Sequence, residues 1–358
     1  MSEQNPFHGP PPVPAWSSTP PAKPKSGKWL LTLFILSLLA NAFLFLALIG
    51  KAASSSGSFS ARKHQYKEMH IAGESTAPDK IAVIRLQGII SSYAENPSEP
   101  DGMVGQIRDQ VNIALSDKTV KAIIIRIDSP GGEVLASDRL YRLLKEAREY
   151  KPIVCYMGSV AASGGFYAAM GGTYVMADEL TITGSIGVIM QTLNYRDLFE
   201  KVGLKTLTFK SGRYKDLLNG DREPTQDEID IVQGLIMESY EKFYQIVLTE
   251  RNRNAPIISA QNLRENLADG RIFSGKQAFE NKLIDQTGHF EDAIGKAQEL
   301  AGIDDAKVVE YQIPFSFANL FRLFGESKAS NTMTLDIGLP EHLKLQPGRA
   351  YYLSYHLF

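Results

Sequence analysis

Apolar and polar positions alternate along this chain with two different periods, and the changes of period mark out its elements. Short apolar runs at 81–86, 120–127, 152–157 and 174–176 predict strands, the second of them buried. Between them the apolar positions recur at helical spacing. Val104, Ile107, Val111 and Leu115 predict a helix over 103–115, and Leu140, Leu143 and Leu144 predict one over 134–150. A helix is expected to open after Ser163, a glycine-rich extended stretch to occupy 180–190, and a short helix to cover 196–202. Pro224 followed by Thr225-Gln226-Asp227-Glu228 is a capping box, so a long helix should run from there to about residue 250. Its stripe of Ile229, Val232, Leu235, Ile236, Tyr240, Phe243 and Val247 faces a core or a neighbouring subunit. Shorter helices are expected near 261–267 and over 290–300. Strands alternating with helices indicate an α/β domain with largely parallel pairing.

The pattern changes at both ends of the chain. Residues 1–28 are crowded with prolines and carry few apolar side chains, so they are expected to be disordered. Residues 29–50 hold no charged side chain, and the 21 residues from 30 to 50 span roughly 31 Å at helical rise, which predicts one transmembrane helix. Lys23, Lys25 and Lys28 lie just before it, which places the N-terminus in the cytoplasm and the rest of the chain outside. Serine and charge dominate 51–78, which reads as a linker; the folded domain is expected over 79–302. An extension follows over 303–358, where the apolar stretch 315–324 suits an amphipathic helix or one packed on the domain.

Composition narrows the chemistry. The formal net charge of −2 gives no basic excess, so no nucleic-acid partner is expected. No phosphate loop and no HExxH pair is present, so neither a cofactor nor a metal is expected. Cys155 is the single cysteine and sits in a strand-like run, which suits packing rather than catalysis.

Three stretches carry candidate chemistry. Val160-Ala161-Ala162-Ser163-Gly164-Gly165 sets one serine among residues of minimal bulk, where a substrate backbone can come close. Read alone, it is equally a strand-to-helix turn with a serine cap. Asp128-Ser129-Pro130-Gly131-Gly132 ends a strand in a turn whose amides, from Gly131 or Gly132 together with Gly164, could hold an oxyanion. An ordinary turn is the competing reading. The six histidines are His8, His64, His70, His289, His342 and His356, so none lies between residues 71 and 288, where the glycine turns are. A serine there would need another base, and a neutral lysine is a recognised one. Phe209-Lys210-Ser211-Gly212-Arg213-Tyr214-Lys215-Asp216 offers two. The base must lose its proton near neutral pH, so its pKa has to fall from about 10.4 to roughly 7–8. A carboxylate close by would oppose this, so Asp216 is expected to face away. Thr183 and Ser185 are hydroxyls that could orient such a lysine, or could simply bond backbone at a strand edge.

Taken in order, Asp128-Ser129-Pro130-Gly131-Gly132, Ala161-Ala162-Ser163-Gly164-Gly165-Phe166-Tyr167, Thr183-Gly184-Ser185-Ile186-Gly187-Val188 and Ser211-Gly212-Arg213-Tyr214-Lys215-Asp216 resemble the motifs of the signal peptide peptidase A family, and Phe273-Ser274-Gly275-Lys276-Gln277-Ala278 is similar to a later one. The resemblance covers about residues 80–288. It implies Ser163 as nucleophile, Lys215 as general base, and a Clp-peptidase and crotonase-like α/β fold of repeated β-β-α units behind one transmembrane helix. It also implies cleaved signal peptide remnants as substrates and a homo-oligomeric ring in a cell membrane, with active sites formed between subunits. A catalytically silent membrane scaffold and a crotonase-type acyl-CoA enzyme are the alternatives that share the fold.

Overall fold

The computed structural model describes residues 28–53, 66–92, 102–313 and 350–353; what was expected of residues 1–27 and 315–324 lies outside them. The chain divides into two units, Met1–Ala61 and Arg62–Phe358. In the first, Lys28–Ala53 forms helix α1. Its side chains are described over 32–45 and are exposed, with Phe34, Leu36 and Phe43 each at 60% or more. Among the described residues no helix is long and apolar enough to cross a membrane. That described stretch is shorter than the ~20 residues a span requires.

The second unit is a mixed α/β domain. Strands β1 (Lys67–Gly73) and β2 (Lys80–Gln87) are followed by α2 (Gly102–Ser116), β3 (Val120–Ser129), the short β4 (Gly131–Glu133) and α3 (Val134–Ala147). Then come β5 (Ile153–Ala162), α4 (Gly164–Ala169), β6 (Tyr174–Ala177), β7 (Ile182–Gly184) and α5 (Arg196–Lys201). The long α6 (Gln226–Arg251) leads to α7 (Ala260–Asn262), which continues as a π-turn over Leu263–Leu267. The last elements are β8 (Ile272–Ser274), α8 (Gly275–Glu280), β9 (Gln286–Thr287), α9 (Phe290–Ala301), β10 (Lys307–Gln312) and β11 (Tyr351–Leu353).

Among the described residues nine strands form one sheet in the order β1-β10-β2-β3-β5-β6-β9, with β7 attached at β5 and β8 at β7. Every neighbour along β10-β2-β3-β5-β6-β9 is parallel; β1 pairs β10, and β8 pairs β7, antiparallel. This largely parallel sheet fits the Clp-peptidase-like architecture that the motifs implied. One face packs Ile123, Ile125, Cys155 and Met157 against α2, α3, α4 and α6; the other packs Ile81, Ile124 and Val154 against Ala293 and Ala297 of α9. Burial on both faces explains why β2, β3 and β5 read as continuous apolar runs. Cys155 is one of these packing residues, and burial pushes its thiol up to about 12.

β1, in the stretch read as linker, and β10, beyond residue 302, pair with each other at the sheet edge. β1 is exposed along nearly all its length, so it carries no alternation by which it could be recognised.

The far end of α6 is fixed by a buried carboxylate. Glu250 accepts from Tyr141 Oη at 2.6 Å, from Lys145 Nζ at 2.9 Å and from Arg148 Nη2 at 2.9 Å. Burial opposes its charge, but the Tyr141, Lys145 and Arg148 contacts outweigh it and hold Glu250 below the ordinary glutamate range. Its stabilising share is therefore complete above the unfolded glutamate value, about 4.3, and is lost as pH falls through the lower folded value. Glu250→Gln should cost about 3 kcal/mol in urea denaturation at pH 7 by leaving Arg148 buried and uncompensated. The gap from the parent should narrow below about pH 4.

Candidate active site

The site forms where β3, β5 and β7 end on one side of the sheet. Ser129 Oγ accepts the Gly131 N–H at 3.1 Å, which shapes the turn through Pro130 into β4. That leaves Gly132 and Gly164, of the three expected oxyanion donors, without this engagement. β4 is laced to residue 90, with Ile90 N–H donating to Gly131 O and Glu133 N–H to Ile90 O, both at 2.8 Å. A methyl group on Gly132 would lie 2.0 Å from Ile90 O, so a glycine is required for this approach.

β5 delivers Ser163. Its backbone sits at φ 50° and ψ −111°, a strained conformation for a residue with a Cβ, between the end of β5 and the start of α4. The Ser163 N–H donates to Gly184 O at 2.8 Å, and Ser163 O accepts from Tyr167 N–H at 2.8 Å, so the backbone is held on both sides. The side chain is not: Ser163 is fully buried and its Oγ has no hydrogen-bond partner among the described residues. A buried hydroxyl left unpaired costs roughly 1–3 kcal/mol, and such groups are found at reacting centres. Of the described histidines, His70 bonds Gly73 O and His289 faces Asp178, so neither serves Ser163.

The glycines converge on this serine. A methyl group on Gly131 would lie 2.7 Å from Gly164 N, and one on Gly164 would lie 3.1 Å from Gly132 N. Into this junction comes the chain's own C-terminal strand. β11 pairs antiparallel with β4, setting Tyr352 opposite Gly132, and Tyr351 exchanges two backbone hydrogen bonds with Ile189 at 3.0 and 3.1 Å. The Tyr352 carbonyl oxygen would be 2.0 Å from a methyl group on Gly131 and 3.1 Å from one on Gly164. The Tyr352 ring is fully buried, 4.8 Å from both Tyr167 and Phe243, and its hydroxyl donates to Ser239 O at 2.9 Å. Nothing in the motifs foretold this occupant; the only trace was the short apolar run Tyr351-Tyr352-Leu353 after Pro347-Gly348.

The remaining candidates separate. Ser185 follows Gly184 at φ 51°, nearly buried, beside the Ser163 backbone contact. Thr183 is also buried, but its hydroxyl donates to Ala161 O at 2.6 Å, so it is spent on the sheet. Lys215 is exposed in the turn that closes with Lys215 N–H on Gly212 O, and among the described residues its amine has no ion pair and does not reach Ser163. Lys210 is committed elsewhere: its amine donates to Asp216 Oδ1 at 2.7 Å and to Arg213 O at 3.2 Å. Asp216 is turned to Lys210 and Arg222 and away from Lys215, as expected.

Comparison with known proteins agrees with this geometry. Residues 145–304 match peptidase family S49. A Synechocystis protein named as a protease is 43% identical over 230 residues, covering 64% of this chain and 81% of that protein. An Enterococcus faecium protein named as a signal peptide peptidase SppA is 34% identical over 242 residues, 67% of this chain and 69% of that one. The chloroplastic serine protease SPPA of Arabidopsis thaliana is 36% identical over 228 residues, 63% of this chain and 33% of its own. With a buried serine on a strained strand-to-helix turn, glycine amides around it and these relatives, the chain belongs to peptidase family S49, the signal peptide peptidase A family, and is a serine peptidase.

Proposed function

We propose that the protein is a membrane-anchored endopeptidase that uses a Ser163/Lys215 dyad on cleaved signal peptide remnants. The observation that carries this reading is β11, an extended segment lying antiparallel on β4 with its Tyr352 carbonyl oxygen at Gly131 and Gly164. A substrate strand in the same place puts its scissile carbonyl beside Ser163. Ser163 Oγ adds to the carbonyl carbon while its proton passes to the neutral Lys215 amine, and the oxyanion is held by the Gly132 and Gly164 amides. The C–N bond breaks as the lysine returns the proton to the leaving amine. Water, deprotonated by the same lysine, then releases the acyl group.

Lys215 reaches Ser163 from a neighbouring copy in a homo-oligomeric ring. Lys215 is exposed and apart from Ser163 within one chain, and Leu193, Leu207 and Phe209 on the segment leading to it are exposed by 72%, 82% and 95%, a surface that suits a subunit contact. Residues 29–50 anchor the chain, with the N-terminus cytoplasmic and the catalytic unit outside. The exposed apolar side chains of α1 suit a lipid environment.

The test is hydrolysis of an apolar, leader-like peptide by the detergent-solubilised full chain, compared with a chain ending at residue 349. Because β11 competes with substrate at high effective concentration, the shortened chain should show kcat/KM raised about tenfold or more. A synthetic peptide of residues 348–355 should lower it again. No hydrolysis by the intact assembly, or equal rates from both chains, would count against this reading.

A further inference from the structure

Lys210, just before the Ser-Gly-Arg-Tyr-Lys-Asp stretch, and Lys215 within it both lie close in sequence to Asp216, the carboxylate most able to hold a lysine in its charged form. Asp216 is only 10% exposed and is held by cations other than Lys215: Lys210 Nζ at 2.7 Å, Arg222 Nη2 at 2.9 Å and Arg222 Nε at 3.0 Å. Arg222 is in turn gripped by Glu228 on α6, with Nη2 to Oε1 at 2.6 Å and Nη1 to Oε2 at 2.8 Å. Glu228 is 4% exposed and also accepts the Thr225 N–H at 2.8 Å as the capping-box carboxylate of α6. The chain of contacts Lys210–Asp216–Arg222–Glu228 thus ties the lysine turn to the first turn of a helix whose Phe243 packs on Tyr167, four residues after Ser163.

Resting on the Ser163/Lys215 reading, we propose that Arg222 is a positioning residue for the lysine base: anchored by Glu228, it holds the Asp216 carboxylate away from Lys215, so that Lys215 approaches the serine without a counter-ion. The two lysines then have different duties. Lys210 is the second cation on Asp216, and Lys215 is left free to give up its proton. A planar guanidinium suits this task, because it can engage two carboxylates in fixed directions and keeps its charge at every working pH. The other charges facing the turn are already paired: Arg213 bonds Asp227 of α6, and Glu223 takes Asn194 and Arg196. The Arg222 and Lys210 contacts hold Asp216 well below the ordinary carboxylate range, and the Arg222 contact brings Glu228 to about 2. Both stay ionised wherever the enzyme works.

The experiment is a pH–rate profile of peptide hydrolysis by the full chain in detergent, for the parent, Arg222→Ala, Asp216→Asn and Arg222→Ala/Asp216→Asn. In Arg222→Ala the carboxylate keeps only Lys210 and loses its fixed direction, which opens it to its neighbour Lys215. The acid limb of the profile should move up by about one pH unit, with roughly tenfold less activity at neutral pH and recovery at high pH. Removing the carboxylate as well should restore the parent's limb, and Arg222→Lys should restore part of it. A clamp that only stabilised the fold would leave the limb in place and make the double variant no better than the single. Either of those results overturns the proposal. Should Arg222→Ala fail to fold, Glu228→Gln, which keeps an acceptor for the Thr225 N–H, should move the limb the same way by less; an unmoved limb there is equally contrary. If instead Lys215→Ala retains activity, the dyad reading fails, and that outcome is separate from these.

Discussion

Ser163→Ala is expected to abolish peptide hydrolysis, lowering kcat on the order of 10⁴- to 10⁶-fold, while leaving the fold as stable as the parent's or more so. The two halves of this expectation come from one observation. Ser163 is fully buried and its Oγ bonds to nothing in the described structure, so its removal breaks no hydrogen bond and relieves an unpaired buried hydroxyl. The strained φ of 50° is no worse for alanine, since both residues carry a Cβ. A structural serine would behave in the opposite way, with stability falling and activity following it. Thermal denaturation and single-turnover hydrolysis on the same preparation separate the two. A variant that keeps its melting temperature and loses its turnover has lost a nucleophile.

Lys215→Ala should cost about 10²- to 10⁴-fold in kcat, the range of a positioned general base, whereas Lys210→Ala should stay within tenfold of the parent. Charge separates the two lysines more clearly than distance. Lys210 is bound to Asp216 at 2.7 Å, so its amine is engaged. Lys215 has no such partner among the described residues. Since Lys215 and Ser163 do not meet within one chain, co-assembly offers a second readout. Neither Ser163→Ala nor Lys215→Ala should work alone. In the proposed ring, mixtures of the two should regain activity, because at random mixing about a quarter of the interfaces pair an intact serine with an intact lysine. Mixtures that stay silent, while homogeneous parent rings work, would place both groups in the same chain.

The sequence carried the elements around the site well, and the reason is burial. β2, β3 and β5 lie inside the sheet with both faces covered, so their apolar runs were legible, and the capping box at Thr225 and Glu228 is present as read. The buried serine was legible because small residues on both sides of a strained turn leave a mark in composition. What could not be read depends on partners far away along the chain. β1 is an exposed edge strand whose residues show little periodicity, and it pairs with the buried β10 more than 200 residues away. β11 brings Tyr352 onto Gly132 across more than 200 residues, and three residues of strand give too short a pattern to be recognised. The Gly131 amide looked available in the motif, yet the hydroxyl of Ser129, two residues before it, takes that donor. Thr183 likewise looked free to orient a lysine, but the Ala161 carbonyl takes its hydroxyl. A motif states which groups are present; only the fold states which are still unengaged.

The most direct test of the account is covalent labelling of the detergent-solubilised full chain with a serine-directed phosphonate probe, with the modified residue located by peptide mass spectrometry. The account predicts a single adduct, on Ser163, in the parent and in Lys210→Ala, with none in Ser163→Ala and little in Lys215→Ala. An adduct on another serine, or peptide hydrolysis that continues with Ser163 unmodified at full probe occupancy, would contradict it.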